Sequence, residues 1–192
     1  MNKSRLEAFS DGVLAIIITI MVLELKVPDG ADFNALEDVS PVLLSYVLSF
    51  VYIGIYWNNH HHLFQAAKQV NGAILWANLH LLFWLSLIPF TTHWMGINDF
   101  AAKPVALYGV VLLSAAIAYY ILGQALIAKH GKDSILAKAI GKDKKGKLSV
   151  IAYIAAILLS FIHPFLACSA YILVAVMWLV PDKRIERLLD TR

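Results

Sequence analysis

The 192-residue chain is 60% hydrophobic and only 15% charged, with a formal net charge of +3 and a mean hydropathy of +0.70. Soluble domains are typically about 45–50% apolar and about 25% charged, so this composition excludes an ordinary soluble domain and indicates an all-α, polytopic membrane protein. The single cysteine, Cys168, excludes an intrachain disulfide and a cysteine-based metal cluster.

Six apolar stretches follow one another along the chain, separated by turns that contain proline, glycine or charged residues. They predict six transmembrane helices within a single domain over 1–192. The last two are short for a full crossing of the bilayer, and His163-Pro164 joins them as a tight hairpin. The predicted spans are 6–25, 42–64, 73–95, 105–128, 148–162 and 165–180.

The distribution of basic residues predicts the orientation. Six spans place both termini on one side, and all but two of the 16 lysines and arginines lie on that side, the exceptions being Lys26 and Lys103. By the positive-inside rule, both termini are predicted to be cytoplasmic. The lysine-rich linker after the fourth span is interpreted as a topology signal that contacts anionic lipid headgroups. Nucleic-acid binding is not predicted, because no aromatic residues interleave with these lysines.

The first span keeps polar side chains at its entrance before an apolar run whose one polar residue is Thr19. A carboxylate this near to hydrocarbon is costly, so Asp11 requires a partner or water and is a functional-site candidate. At about 100° per residue, one helical stripe carries Ile16, Thr19 and Leu23, whereas Asp11 lies well off that stripe. The periodicity leaves open whether the stripe faces lipid or lines a pore.

The second span ends in a polar and aromatic cluster, Trp57-Asn58-Asn59-His60-His61-His62. Adjacent histidines on a helix point about 100° apart and cannot converge on one ion, because helical metal ligands use i, i+3 or i, i+4 spacing. The cluster is interpreted instead as the partner of the first span, in which Trp57, Asn58 or a histidine hydrogen-bonds Ser10 or Asp11. Asn78 and His80 lie at a similar depth and could join it.

The sequence lacks the residues that several classes of function require. No Ser-His-Asp order, glycine-rich phosphate loop or paired intramembrane carboxylate occurs, so neither an enzyme nor a cofactor is predicted. The TVGYG filter and the arginine-rich voltage sensor are absent from the sequence. Two alternatives stay open. One is a proton-coupled transporter that uses Asp11 and the span-two histidines as a relay; the other is a structural or lipid-binding membrane protein.

The motif Arg5-x-x-x-Phe9-Ser10-Asp11, followed by the apolar run with Thr19, resembles the transmembrane protein 175 family of endolysosomal potassium channels and their prokaryotic relatives. The resemblance extends over the whole length, through the acidic first loop, the motif Trp57-x-x-His60/His61, and Asn78 with Ser86-Leu87-Ile88-Pro89-Phe90. Eukaryotic members carry two six-span repeats and pair as dimers. The single repeat here therefore implies a homotetramer, in the plasma membrane of a prokaryote.

The resemblance implies a potassium-selective cation channel, in which the first helices surround a central pore with an apolar constriction. Carried over by offset from the motif, the constriction is Ile16, with Thr19 and Leu23 beyond it, in agreement with the stripe. Potassium ions pass Thr19 transiently and no stable metal site is expected, so the implied partners are potassium, the lipid bilayer and further copies of the chain. The implied structural network comprises Arg5, Phe9, Ser10, Asp11, Trp57, Asn58, His60, His61 and Asn78.

Overall fold

The computed structural model describes residues 2–131, 133–134, 136–137 and 143–179, and this part of the chain is helical without strands. Three linker lysines (Lys132, Lys138 and Lys142) and residues 180–192 lie outside the described residues. The helices are α1 (Lys3–Leu23), a 3-10 turn (Phe33–Leu36), α2 (Ser40–Gln65), α3 (Gly72–Ser86), α4 (Ile88–Ile97), α5 (Ala102–His130), α6 (Lys144–Ser160) and α7 (Pro164–Leu179).

Four spans are long and apolar enough to cross a bilayer: α1, α2, the α3–α4 pair over Gly72–Ile97, and α5. The apolar α7 and the 17-residue α6 complete the order of six, so the all-α, six-span prediction is confirmed. The third span is interrupted at Leu87, which the sequence analysis did not predict. The physical reason is Pro89, which lacks the N–H that would bond the carbonyl four residues earlier.

The bundle is built around α5, which packs against α3, α4, α6 and α7. Half of the most apolar window of α5 is buried, against 28% for α1. The first helix therefore lies at the edge of the bundle, where it contacts α2, α3 and α4.

Hydroxyl groups join the helices inside the bundle. Ser49 on α2 is 2.6 Å from the Thr92 hydroxyl on α4 and 3.0 Å from the Tyr108 hydroxyl on α5. Tyr52 donates to the backbone oxygen of Tyr171 on α7 at 2.6 Å. Each of these buried groups has a partner, as a low-dielectric interior requires, and the helices behind α1 are thereby held in register.

One end of the bundle collects the start of α1 and the ends of α2 and α5. Lys3 Nζ donates to the carbonyls of Phe64 (2.7 Å) and Ala67 (3.2 Å) at the end of α2. His130 Nε2, at the end of α5, accepts from the backbone N–H groups of Lys68 and Gln69. We refer to this as the N-terminal end of the bundle.

Candidate functional site

One face of α1 packs against the bundle, and the opposite face is exposed in the single chain. The buried residues recur every three or four positions, as an amphipathic helix requires; they are Leu6, Ser10, Leu14, Ile17 and Met21. The predicted stripe lies opposite to them, with Ile16 60% exposed and Leu23 76% exposed. The stripe therefore points away from the rest of the chain.

Thr19 lies on the exposed face between Ile16 and Leu23. Its hydroxyl donates to the carbonyl of Ala15 at 2.9 Å. Because the hydrogen is used within the helix, the oxygen keeps its lone pairs for an outward partner. An oxygen with free lone pairs is the group that a partly dehydrated cation needs.

The buried face of α1 is anchored by hydrogen bonds among Ser10, Asn78 and His60. The Asn78 amide nitrogen donates to Ser10 Oγ at 2.9 Å, and Ser10 donates to the carbonyl of Leu6 at 2.9 Å. The Asn78 oxygen lies 2.8 Å from His60 Nε2, which must then be the donor. All three side chains are buried. We call them the buried triad, and it ties α1 to α2 and α3.

Asp11 is held on the flank of α1 by an aromatic residue. Trp57 Nε1 on α2 donates to Asp11 Oδ1 at 3.1 Å, and both residues are partly open to the surroundings. The Trp57 ring also stacks on His61, with centroids 6.4 Å apart and planes at 21°. The carboxylate thus has a partner within its own subunit, which lowers the cost of keeping it near the hydrocarbon.

Other residues of the implied network lie elsewhere. Arg5 is exposed and forms no ion pair with any described residue, and Phe9 is 54% exposed on the outward side of α1. Asn58 is half-buried and makes no side-chain hydrogen bond to the described part of the chain. His61 bonds Gln65 on its own helix at 2.9 Å. His80 pairs with Trp84 on α3 at 2.9 Å and does not join the α1 contacts.

Lys3 is a supporting residue that the sequence analysis did not identify. Its bonds to Phe64 and Ala67 place a cation on carbonyls at the end of α2, where the helix dipole favours positive charge. It also lies 4.0 Å from Glu7, one turn along α1. The contact spans more than 60 residues of chain, and no local sequence pattern signals it.

At the other end of α1, Glu24 approaches His93 on α4, with 3.5 Å between Oε2 and Nδ1. A cavity of about 460 Å³ lies beside this pair, and its lining includes Lys26, Asp38 and Asp99. Among the described residues, no group of three or more His, Cys, Asp or Glu side chains is placed to hold a metal ion.

Comparison with known proteins gives consistent results. The family model described as endosomal/lysosomal potassium channel TMEM175 matches residues 5–89. A protein of Chryseobacterium sp. (strain P1-3) named as a potassium channel is 58% identical over 97% of each chain. The crystal structure of a lysosomal potassium-selective channel TMEM175 homolog from Chamaesiphon minutus superposes with a TM-score of 0.79 at 29% identity, covering 94% of this chain and 97% of that one. A chicken protein named endosomal/lysosomal proton channel TMEM175 is 30% identical over 62% of this chain and only 26% of its own length.

Proposed function

Since the chain belongs to the TMEM175 family of ion channels, we propose that it is a potassium-selective cation channel in which the α1 helices of a homotetramer line a central pore. We place it in the plasma membrane of a bacterium with both termini cytoplasmic, as the distribution of lysine and arginine predicts. The family consists of channels, not enzymes.

The observation that carries this proposal is the exposed stripe on α1. The helix is hydrogen-bonded into its subunit on one side, and it presents Ile16, Thr19 and Leu23 on the other. Beside the stripe, Ala8, Gly12 and Ala15 are exposed, and a Cβ added at Gly12 would meet nothing within 4 Å. Small residues at such spacing let helices approach closely in a membrane, which supports contact between α1 helices of neighbouring copies.

The proposed gate is apolar. Side chains of Ile16 from four copies form the narrowest ring, and a ring of this kind closes by excluding water. A small rotation or widening of the α1 helices lets water and a cation enter. The Thr19 hydroxyls one turn further supply oxygen dipoles to the partly dehydrated ion. Potassium gives up its hydration shell more easily than sodium, so the pore favours potassium, though less strongly than a filter of backbone carbonyls.

The contacts behind α1 have a positioning role in this proposal. The buried triad and the bond from Trp57 to Asp11 hold the helix at a fixed rotation about its own axis. That rotation decides whether Ile16 or a neighbouring side chain meets the symmetry axis. Asp11 therefore acts through the position of α1, and it does not itself contact the permeating ion.

The alternative, a proton-coupled transporter that uses Asp11 and the histidines of α2, has less support. A relay needs titratable groups in sequence, and Asp11 bonds the indole of Trp57 rather than a histidine. His60 bonds the amide of Asn78, which does not titrate. Recordings under a potassium gradient at varied pH distinguish the two functions: the transporter predicts flux that depends steeply on pH and saturates, and the channel predicts unitary current steps.

The test of the pore is planar-bilayer recording of the reconstituted protein under potassium and sodium gradients. Ile16→Asn makes the constriction wet, so the current at rest should rise and the potassium-to-sodium selectivity should fall. Ile172→Asn is the matched control, since Ile172 is an exposed residue on α7, and its currents should equal those of the parent. Unchanged conductance and reversal potential in Ile16→Asn would place the constriction elsewhere.

A further inference from the structure

A groove of about 440 Å³ lies between α2, α5, α6 and the end of α7, and α1 contributes nothing to it. It extends along α2 from Tyr52 to Asn59 and along α6 from Tyr153 to Lys147. At 1.5 Å per residue it is about 10 Å long, within a volume typical of small-ligand sites. Its aromatic lining consists of Tyr52, Tyr56, Tyr119, Tyr120, Tyr153 and Trp178.

Most of the hydrogen-bond donors of these aromatic lining residues are already bonded to acceptors within the protein. Tyr119 donates to the carbonyl of Asn59 at 3.1 Å, and Tyr153 donates to the Tyr52 hydroxyl at 3.3 Å. Trp178 Nε1 on α7 donates to Ser149 at 2.8 Å. A polar solute would find few donors here and would lose its own hydration, whereas a hydrocarbon chain loses nothing. The wall therefore suits an apolar occupant.

The groove is open at its side and charged at one end. Ile151 lines it and is 65% exposed, on the apolar outer face of α6. Lys147 lines this end of the groove, and Lys144 lies about one turn before it on α6; both residues are exposed. The acidic residue there, Asp143, is engaged as the cap of α6, because its Oδ1 accepts from the N–H of Gly146 at 3.0 Å. Positive charge thus borders the apolar groove at the start of α6, and positive charge attracts anionic headgroups.

We propose that the groove binds one acyl chain of an anionic phospholipid, whose phosphate contacts Lys147 and Lys144. The lipid comes from the leaflet on the side where α6 begins. Lys145 is already placed over the Trp178 ring, 5.8 Å from its centroid, and shapes the end of the groove. The site is separate from the proposed ion pathway, so failure of either proposal leaves the other standing.

The experiment uses the full chain in mixed micelles with phosphatidylglycerol or phosphatidylcholine that carry the same photoreactive acyl chain. After irradiation, mass spectrometry counts the attached lipids and maps the labelled peptides. We expect one lipid per chain, attached to 52–59, 116–120 or 147–153, with phosphatidylglycerol preferred. The double variant Lys144→Ala/Lys147→Ala should lower phosphatidylglycerol labelling by at least about fivefold, the effect of one lysine near an anionic surface, and leave phosphatidylcholine labelling unchanged.

Two further variants keep the result interpretable. Lys68→Ala removes an exposed lysine of the α2–α3 turn, outside the groove, and should leave the labelling unchanged. Ala116→Phe fills the groove and should abolish labelling by both lipids. Label elsewhere on the chain, equal labelling by the two lipids, or an equal loss in Lys68→Ala would overturn the proposal. An absence of label on the parent protein would also overturn the proposal. A changed oligomeric state in Ala116→Phe would then indicate that a neighbouring copy occupies the groove.

Discussion

Replacing Asn78 by alanine should loosen α1 from its subunit, because Asn78 is the centre of the buried triad. The change removes the donor to Ser10 and the acceptor for His60 in one step. Ser10 keeps its bond to the carbonyl of Leu6. Losing the bond from Asn78 to Ser10 therefore costs little, near the average of about 0.6 kcal/mol for interhelical hydrogen bonds in membranes. The His60 N–H is left buried without an acceptor, which costs about 1–3 kcal/mol.

The sum predicts that Asn78→Ala lowers the free energy of unfolding by about 1.6–3.6 kcal/mol. The assay is reversible unfolding of the purified protein in detergent, followed by circular dichroism. Asn58→Ala is the matched control: Asn58 makes no side-chain hydrogen bond to the described residues, and its truncation should change stability by no more than about 0.5 kcal/mol. The double variant Ser10→Ala/Asn78→Ala should lose less stability than the sum of the losses in the two single variants. Equal stability of Asn78→Ala and Asn58→Ala would refute this assignment of the anchor.

Three other substitutions give distinct outcomes. Thr19→Val removes the outward oxygen at constant shape and should lower the potassium-to-sodium permeability ratio in bilayer recordings, whereas Thr19→Ser should retain it; equal ratios would contradict a role for the hydroxyl. Gly109→Ala places a Cβ against the Tyr171 hydroxyl and should destabilise the protein by about 1–3 kcal/mol, with partial rescue by Tyr171→Phe, and the melting temperatures of the single and double variants test this. Trp57→Phe removes the donor to Asp11, so a subsequent Asp11→Asn change should cost less than it does in the parent; an equal cost would mean that the two side chains are not coupled.

Much of the architecture could be predicted from the sequence. The six spans follow from six apolar stretches, four of them of bilayer length, and the structure reproduces their order. The periodicity of α1 places Asp11 off the stripe of Ile16, Thr19 and Leu23. In the structure that stripe lies opposite the buried face, and Asp11 bonds Trp57 on the flank of the helix. Helical geometry alone is enough for that distinction.

The pairing between helices could not be predicted to the residue. The sequence analysis named Trp57, Asn58 and the histidines as alternative partners for Ser10 and Asp11. Among the described residues, the structure pairs Asp11 with Trp57. This choice depends on the rotation and depth of α2 relative to α1, which packing sets and periodicity does not encode. The same reason applies to Lys3. Its partners are the carbonyls of Phe64 and Ala67, but the sequence alone is equally compatible with other backbone groups at that end of the bundle.

The sequence contains a signal for the interruption of the third span, which is Pro89. Pro89 lies within the predicted span 73–95, and the structure ends α3 at Ser86 and begins α4 at Ile88. A proline is tolerated within a membrane span because neighbouring helices satisfy the backbone groups that it leaves without a partner. In this chain α4 continues to Ile97 and brings Thr92 to Ser49.

The central claim is that the stripe of α1 lines an aqueous pathway between copies of the chain. The most direct measurement is block of the potassium current of Ile16→Cys, in a Cys168→Ala background, by a positively charged methanethiosulfonate that does not cross the bilayer. We predict irreversible loss of most of the current, and no loss in Ile172→Cys, whose side chain lies on the outer face of α7. Full current after complete modification of the Ile16→Cys thiol would contradict the account.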